Sequence, residues 1–141
     1  MKFQIEFLLV ILGDSLTMKP KFYFSEEEEK TISIDFDGVI HKYSQGFKGL
    51  ANIYDGPMDG TYEALAKLKE DGYILKILSS RPKEYIIKWL EENNLDKFIS
   101  EVSNHKFPAS LYIDDRGFNF KNWSQCLTNI KSLTNIKTFL K

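Results

Sequence analysis

The run of apolar and polar positions changes character near residue 31. Thr31-Ile-Ser-Ile-Asp-Phe36 is rich in β-branched and aromatic residues and predicts a strand. Thr61 to Asp71 carries Tyr62, Leu65 and Leu68 at helical spacing, with Gly72 as a stop. Tyr73 to Leu78 reads as a second strand. Pro82 opens a helix whose apolar face is Tyr85, Ile86, Trp89 and Leu90. Leu95, Phe98 and Ile99 close that unit, and a short strand is expected near Val102. Ser110 to Ile113 is a further short strand. Asn122 and Gln125 stand in capping-box relation ahead of a last helix, Trp123 to about Phe139. Strands alternating with helices predict an α/β domain, a three-layer sandwich around a mainly parallel sheet. Residues 38–60, rich in glycine and aromatics, have no clear period.

Residues 1–30 read differently, as an appendage of uncertain structure before a domain over 31–141. The apolar run Phe7 to Leu12 follows Glu6 and precedes Gly13-Asp14, with no small-residue cleavage site behind it. It is not expected to act as a secretory leader, and it is too short to span a bilayer. The acidic run Glu26 to Glu29 predicts a solvated turn or a frayed end. Met18 is an alternative start. Leu127-Thr-Asn-Ile-Lys131 recurs as Leu133-Thr-Asn-Ile-Lys137, but a period of six matches no repeat architecture.

Composition narrows the classes. With 141 residues, 43% apolar and 28% charged, the chain is long enough for one domain with a real core. Nineteen basic and twenty acidic residues leave a net charge of -1, so no global positive field recommends a nucleic-acid partner, although a local contact stays open. The single Cys126 cannot form an internal disulfide and fits a reducing compartment. A cytoplasmic protein with no membrane partner is expected.

The candidate chemistry gathers where the strands end, which is where open parallel sheets bind ligands. The first strand runs into Asp35-Phe-Asp37-Gly38, the second into Ser79-Ser80-Arg81, and the third into Asp114-Asp115-Arg116, with Lys106 upstream. Asp35 and Asp37 share one face of an extended chain. Adjacent carboxylates repel unless a cation or a proton relieves them, and all-oxygen ligands suit Mg²⁺. Ser79 precedes a helix N-terminus, a place that favours anions. Alone, each cluster could equally be caps and turns. Of the nineteen basic residues only Arg81 and Arg116 are arginines, and each follows one of these clusters. They serve either as bidentate contacts to substrate or as salt bridges that orient the neighbouring aspartates.

Together these residues resemble the haloacid dehalogenase-like (HAD) phosphohydrolases. The motifs are Ile32-Ser-Ile-Asp35-Phe-Asp37-Gly-Val39, Leu75-Lys-Ile-Leu-Ser79, Lys106, and Tyr112-Ile-Asp114-Asp115, in order over residues 31–116. The resemblance implies a Rossmann-like fold and a Mg²⁺-dependent phosphomonoester hydrolase working through an aspartyl-phosphate. It implies Asp35 as nucleophile, Asp37 as general acid and base, and Ser79 and Lys106 holding the transferring oxygens. Mg²⁺ would be held by Asp35, Asp37 (through its backbone carbonyl), Asp114 and Asp115. Asp35 to His41 and Lys106-Phe-Pro108…Ile113-Asp-Asp-Arg116 are similar to small, capless members. Ser80, Arg81, Arg116 and His41 are the expected substrate contacts. Lys106 stands closer to the paired acids than in many such phosphatases, and residues 1–30 have no counterpart in the pattern.

Too few residues separate Asp37 from Thr61 for a folded cap. An open site suits a phosphorylated small molecule or the exposed end of a larger one, and an oligomer could cover it. Tyr43, Phe47 and Tyr54 either stack on a base or sugar or form a local apolar cluster. Two other readings use the same fold: a non-catalytic binding or scaffold domain, and a phosphotransferase. Gly13-Asp-Ser-Leu-Thr17 looks like the first block of GDSL esterases with Ser15 as nucleophile, but the Asp-x-x-His that mechanism requires is absent.

Overall fold

Ile32 and Ile34 point to one side of their strand and Thr31 and Ser33 to the other, yet all four are buried. A strand covered on both faces belongs at the centre of a parallel sheet flanked by helices. In the computed structural model, which describes residues 6–12, 15–21, 25–114 and 118–139, that strand is β3 (Thr31–Asp35). Its neighbours are β4 (Ile74–Leu78) and β6 (Leu111–Asp114). Outside them lie β5 (Ile99–Ser103) and the two-residue β7 (Phe118–Asn119), in the order β5-β4-β3-β6-β7. Every adjacent pair is parallel. The expected α/β sandwich is therefore the observed fold.

The helices follow their sequence signals closely. α2 (Thr61–Glu70) ends as Gly72 takes φ +93°, a left-handed conformation that glycine adopts without strain. α3 (Lys83–Glu92) starts after Pro82 and buries Ile86, Trp89 and Leu90. Tyr85, expected on that face, is instead largely exposed, because it lies off the i, i+3, i+4 stripe that starts at Ile86. α4 (Trp123–Phe139) begins as expected, with the Gln125 N–H donating to Asn122 Oδ1 at 2.8 Å. The Trp123 indole donates to Thr61 Oγ1 at 3.0 Å, tying α4 to the start of α2.

The N-terminal region holds more structure than its pattern suggests. β1 (Glu6–Leu12) and β2 (Ser15–Lys21) form an antiparallel hairpin paired from Glu6↔Lys21 to Leu12↔Ser15. Ser15 opens β2. The glutamate run forms α1 (Glu26–Lys30) instead of a frayed turn. Ser25 closes a capping box with Glu28, and four acids in the first turn complement the helix dipole.

Residues 38–60 contain neither helix nor strand, only two bridges, Asp37↔His41 and His41↔Pro57. They make a flap that runs from the end of β3 to α2, returns to Asp37 through His41 and receives the Arg81 fork at Gly49 and Leu50. No helix among the described residues is long and apolar enough to cross a membrane.

Candidate active site

Strand register brings the predicted residues to one edge. Asp35, the last residue of β3, pairs with Leu78, so Ser79 follows directly alongside it. On the other flank Ile34 pairs with Ile113, which brings the next residue of each strand, Asp35 and Asp114, side by side. Asp35 thus stands between a hydroxyl residue and a second acid. Its Oδ1 accepts the Phe36 N–H at 2.8 Å.

The turn after Phe36 orients Asp37. Gly38 adopts φ +79° and donates its N–H to the His41 carbonyl at 2.8 Å. The N–H groups of Ile40 and His41 both reach the Phe36 carbonyl, at 3.0 and 2.9 Å. This loop folds His41 back onto Asp37, with Nδ1 and Oδ1 2.8 Å apart. His41 Nε2 accepts the Asp55 N–H at 3.1 Å. A ring nitrogen that accepts carries no proton, so in the neutral imidazole Nδ1 is protonated and donates to Asp37.

Arg81 approaches Asp37 from the loop after β4. Its Nε donates to both carboxylate oxygens, at 3.1 and 2.9 Å. Its Nη1 donates to the carbonyls of Gly49 and Leu50, at 2.9 and 2.7 Å. Among the described residues, Nη2 is the only side-chain nitrogen or oxygen buried without a hydrogen-bond partner. Such an orphan costs about 1–3 kcal/mol, and the fork is held in place despite it. The Arg81 backbone N–H donates to Ser79 Oγ at 3.2 Å, while the Ser79 N–H donates to Ser103 on β5 at 3.0 Å.

The rings around His41 complete the support. Phe36 stacks on His41 with centroids 5.5 Å apart and meets Trp89 edge-on at 5.1 Å. Tyr54 meets His41 edge-on at 5.2 Å, and its hydroxyl accepts the Gln45 N–H and donates to the Gly46 carbonyl. Tyr43 packs beside His41 and Tyr54, with centroids 5.7 and 6.4 Å away; desolvation, and then the Asp37 charge, raises its phenol above the ordinary value. Of the three flap aromatics, Tyr43 and Tyr54 form a local cluster, whereas Phe47 is 65% exposed.

The expected site therefore divides. Asp35, Asp37, Ser79 and Asp114 share the carboxyl edge. His41 and Arg81, expected as substrate contacts, are both engaged by the protein's own groups. Their side chains are 0% and 1% exposed, and they turn their polar atoms to Asp37 and the flap. For Arg81 the salt-bridge reading is the one observed. Ser80 is exposed. Lys106, also exposed, lies on the loop between β5 and β6 with Nζ 4.8 Å from the centroid of Tyr112, on the same strand face as Asp114. Asp115 and Arg116 lie outside the described residues. The parts that sequence reasoning missed are the Gly49 and Leu50 carbonyls and the Asp55 amide. Backbone groups that meet a side chain far along the chain leave no local signal.

Hard oxygen donors at this edge suit Mg²⁺, which takes few carboxylates and keeps water. Among the described residues no set of three His, Cys, Asp or Glu side chains forms a complete metal site. The donors that fit are Asp35 and Asp114, with Asp115 next in sequence.

Comparison with known proteins agrees with this architecture. The family described as "Haloacid dehalogenase-like hydrolase" matches residues 3–106, from the hairpin through β5. A solved structure of a conserved protein from Bacteroides thetaiotaomicron superposes with a TM-score of 0.55 at 24% identity, covering 74% of this chain and 91% of that one. It is similar in fold. No curated protein matches.

Proposed function

Since the chain belongs to the haloacid dehalogenase-like hydrolase family, we propose that it hydrolyses a phosphomonoester at the carboxyl edge of β3. The observation that carries this reading is the register that sets Asp35 between Ser79 and Asp114, with Asp37 held two residues on. In this reading an Asp35 oxygen attacks phosphorus, and the bond to the leaving oxygen breaks. Asp37 delivers a proton to that oxygen. Water then attacks the aspartyl-phosphate, giving its proton to Asp37, and inorganic phosphate leaves with Asp35 restored. Ser79 and Lys106 hold the non-bridging oxygens. Mg²⁺ would be held by Asp35, Asp114, Asp115 and the Asp37 carbonyl, and its chemistry is to neutralise phosphoryl charge. The flap carries no inserted domain, so the substrate is a small phosphomonoester or the exposed phosphorylated end of a larger molecule.

The test is hydrolysis of p-nitrophenyl phosphate by the full chain with Mg²⁺ or with EDTA, beside Asp35→Asn. Turnover should need the metal and fall by roughly a thousandfold or more in the variant. An Asp35→Asn protein that keeps its wild-type rate would remove Asp35 as the nucleophile, and with it this mechanism.

A further inference from the structure

Two hydrogen-bonded arms leave the Asp37 carboxylate and end on the same loop. One runs through Arg81, whose Nε holds both carboxylate oxygens while Nη1 holds the carbonyls of Gly49 and Leu50. The other runs through His41, whose Nδ1 meets Asp37 Oδ1 while Nε2 takes the Asp55 N–H. The second arm is rooted in the core, because the Trp89 indole donates to the Asp55 carbonyl at 2.9 Å. Neither connector faces solvent: both side chains are buried, and both belong to residues whose polar heads meet only this network among the described partners. A buried guanidinium that divides its donors between a site carboxylate and two loop carbonyls is not arranged to bind substrate.

We propose that Arg81 and His41 are positioning residues that make the central part of the flap, residues 42–56, and the Asp37 carboxylate one mechanical unit. The flap reaches its seat only when Asp37 is in place to receive Arg81. Asp37 keeps its orientation toward the leaving oxygen only while the flap is seated. The flap is then part of the leaving-group side of the site, although it supplies no reacting atom. The catalytic half of this proposal rests on the hydrolase reading above; the mechanical half does not.

The two halves call for different measurements. In hydrogen–deuterium exchange on the full chain, Arg81→Lys and Asp37→Asn are compared with wild type. Lysine keeps the charge but loses the fork, so one ammonium cannot bridge the carboxylate and both carbonyls. Asp37→Asn attacks the arm from its other end, which guards against a buried Arg81 variant that fails to fold. Peptides covering 45–55 should exchange about tenfold faster in both, with β3 and β4 within about twofold of wild type. Combining the two substitutions should add little to either. Unchanged flap exchange in both variants overturns the coupling, and so does a rise matched across β3 and β4.

The activity arm compares p-nitrophenyl phosphate with phenyl phosphate, whose leaving group needs protonation far more. Arg81→Lys should lose about tenfold more kcat/KM, which reports the step in which the leaving group departs, on phenyl phosphate than on p-nitrophenyl phosphate. Equal loss on the two overturns the positioning role. Absence of metal-dependent turnover in wild type would sink the hydrolase reading instead, and the exchange result would still decide the coupling.

Discussion

A buried charged side chain needs partners that replace the water it has lost, and Arg81 shows how far that demand reaches. Its Nε holds Asp37 and its Nη1 holds two carbonyls, while removal of one member of such a pair typically costs about 3–5 kcal/mol. Cys126 illustrates the opposite case, a titratable group buried in the apolar core. Desolvation disfavours its thiolate and pushes the thiol up to about 12. At pH 8 only about one Cys126 in ten thousand would then be thiolate, the reactive form. Folded protein should react with Ellman's reagent at least a hundredfold more slowly than protein in denaturing urea. Rapid, stoichiometric labelling of the native chain would show that Cys126 is not sealed in the core. The thiol therefore has no part in the proposed chemistry, in keeping with its place on α4.

At the level of elements, the chain divides by whether its organisation is local. β3, β4, β6 and helices α2 to α4 are legible in the sequence because period, cap and stop signals lie within a few residues of each other. Asn122 with Gln125 is a case in point. Asp35 and Ser79 are legible for the same reason, since each directly ends an apolar run. The flap is not, because its order comes from hydrogen bonds such as Arg81 to Leu50 and His41 to Asp55, which join distant residues. Asp55 anchors this loop a second time, accepting the Ser44 N–H on Oδ2 at 2.7 Å. Hydrogen bonding from Ser44, side chain and then backbone, holds its carboxyl below the ordinary 3.8. A carboxyl whose folded value is depressed stabilises the fold at pH above its unfolded value, and that contribution fades as pH falls through the lower folded value. Asp55→Asn should therefore lower the thermal midpoint at pH 7. The gap from wild type should hold down to about pH 4–5 and close below 3.8. A gap that is unchanged at pH 3 would mean that the anchor does not depend on the charge.

Over the whole molecule, site and core are not separable parts. Phe36 lies between the two carboxylates of the first motif, yet it is fully buried, stacked on His41 and edge-on to Trp89. Its backbone carbonyl also accepts the N–H groups of Ile40 and His41, which form the turn that returns to Asp37. The centre of the sheet and the support of Asp37 thus meet in one residue. A domain of this size holds only about 5–15 kcal/mol of net stability, and truncating a buried Phe to Ala removes about 3–5 kcal/mol of it. Phe36→Ala should shift the urea midpoint by a large fraction of its wild-type value. Phe36→Leu, which refills most of the volume, should cost about 1–1.5 kcal/mol. If the site is an extension of the core, the Leu variant should lose activity beyond its small loss of folded fraction, because Leu has no ring to stack on His41. The comparison is made at low temperature, where both proteins are fully folded by circular dichroism. Equal rates for Phe36→Leu and wild type there would mean that the aromatic packing stabilises the fold without orienting the site, and that His41 is held by its hydrogen bonds alone.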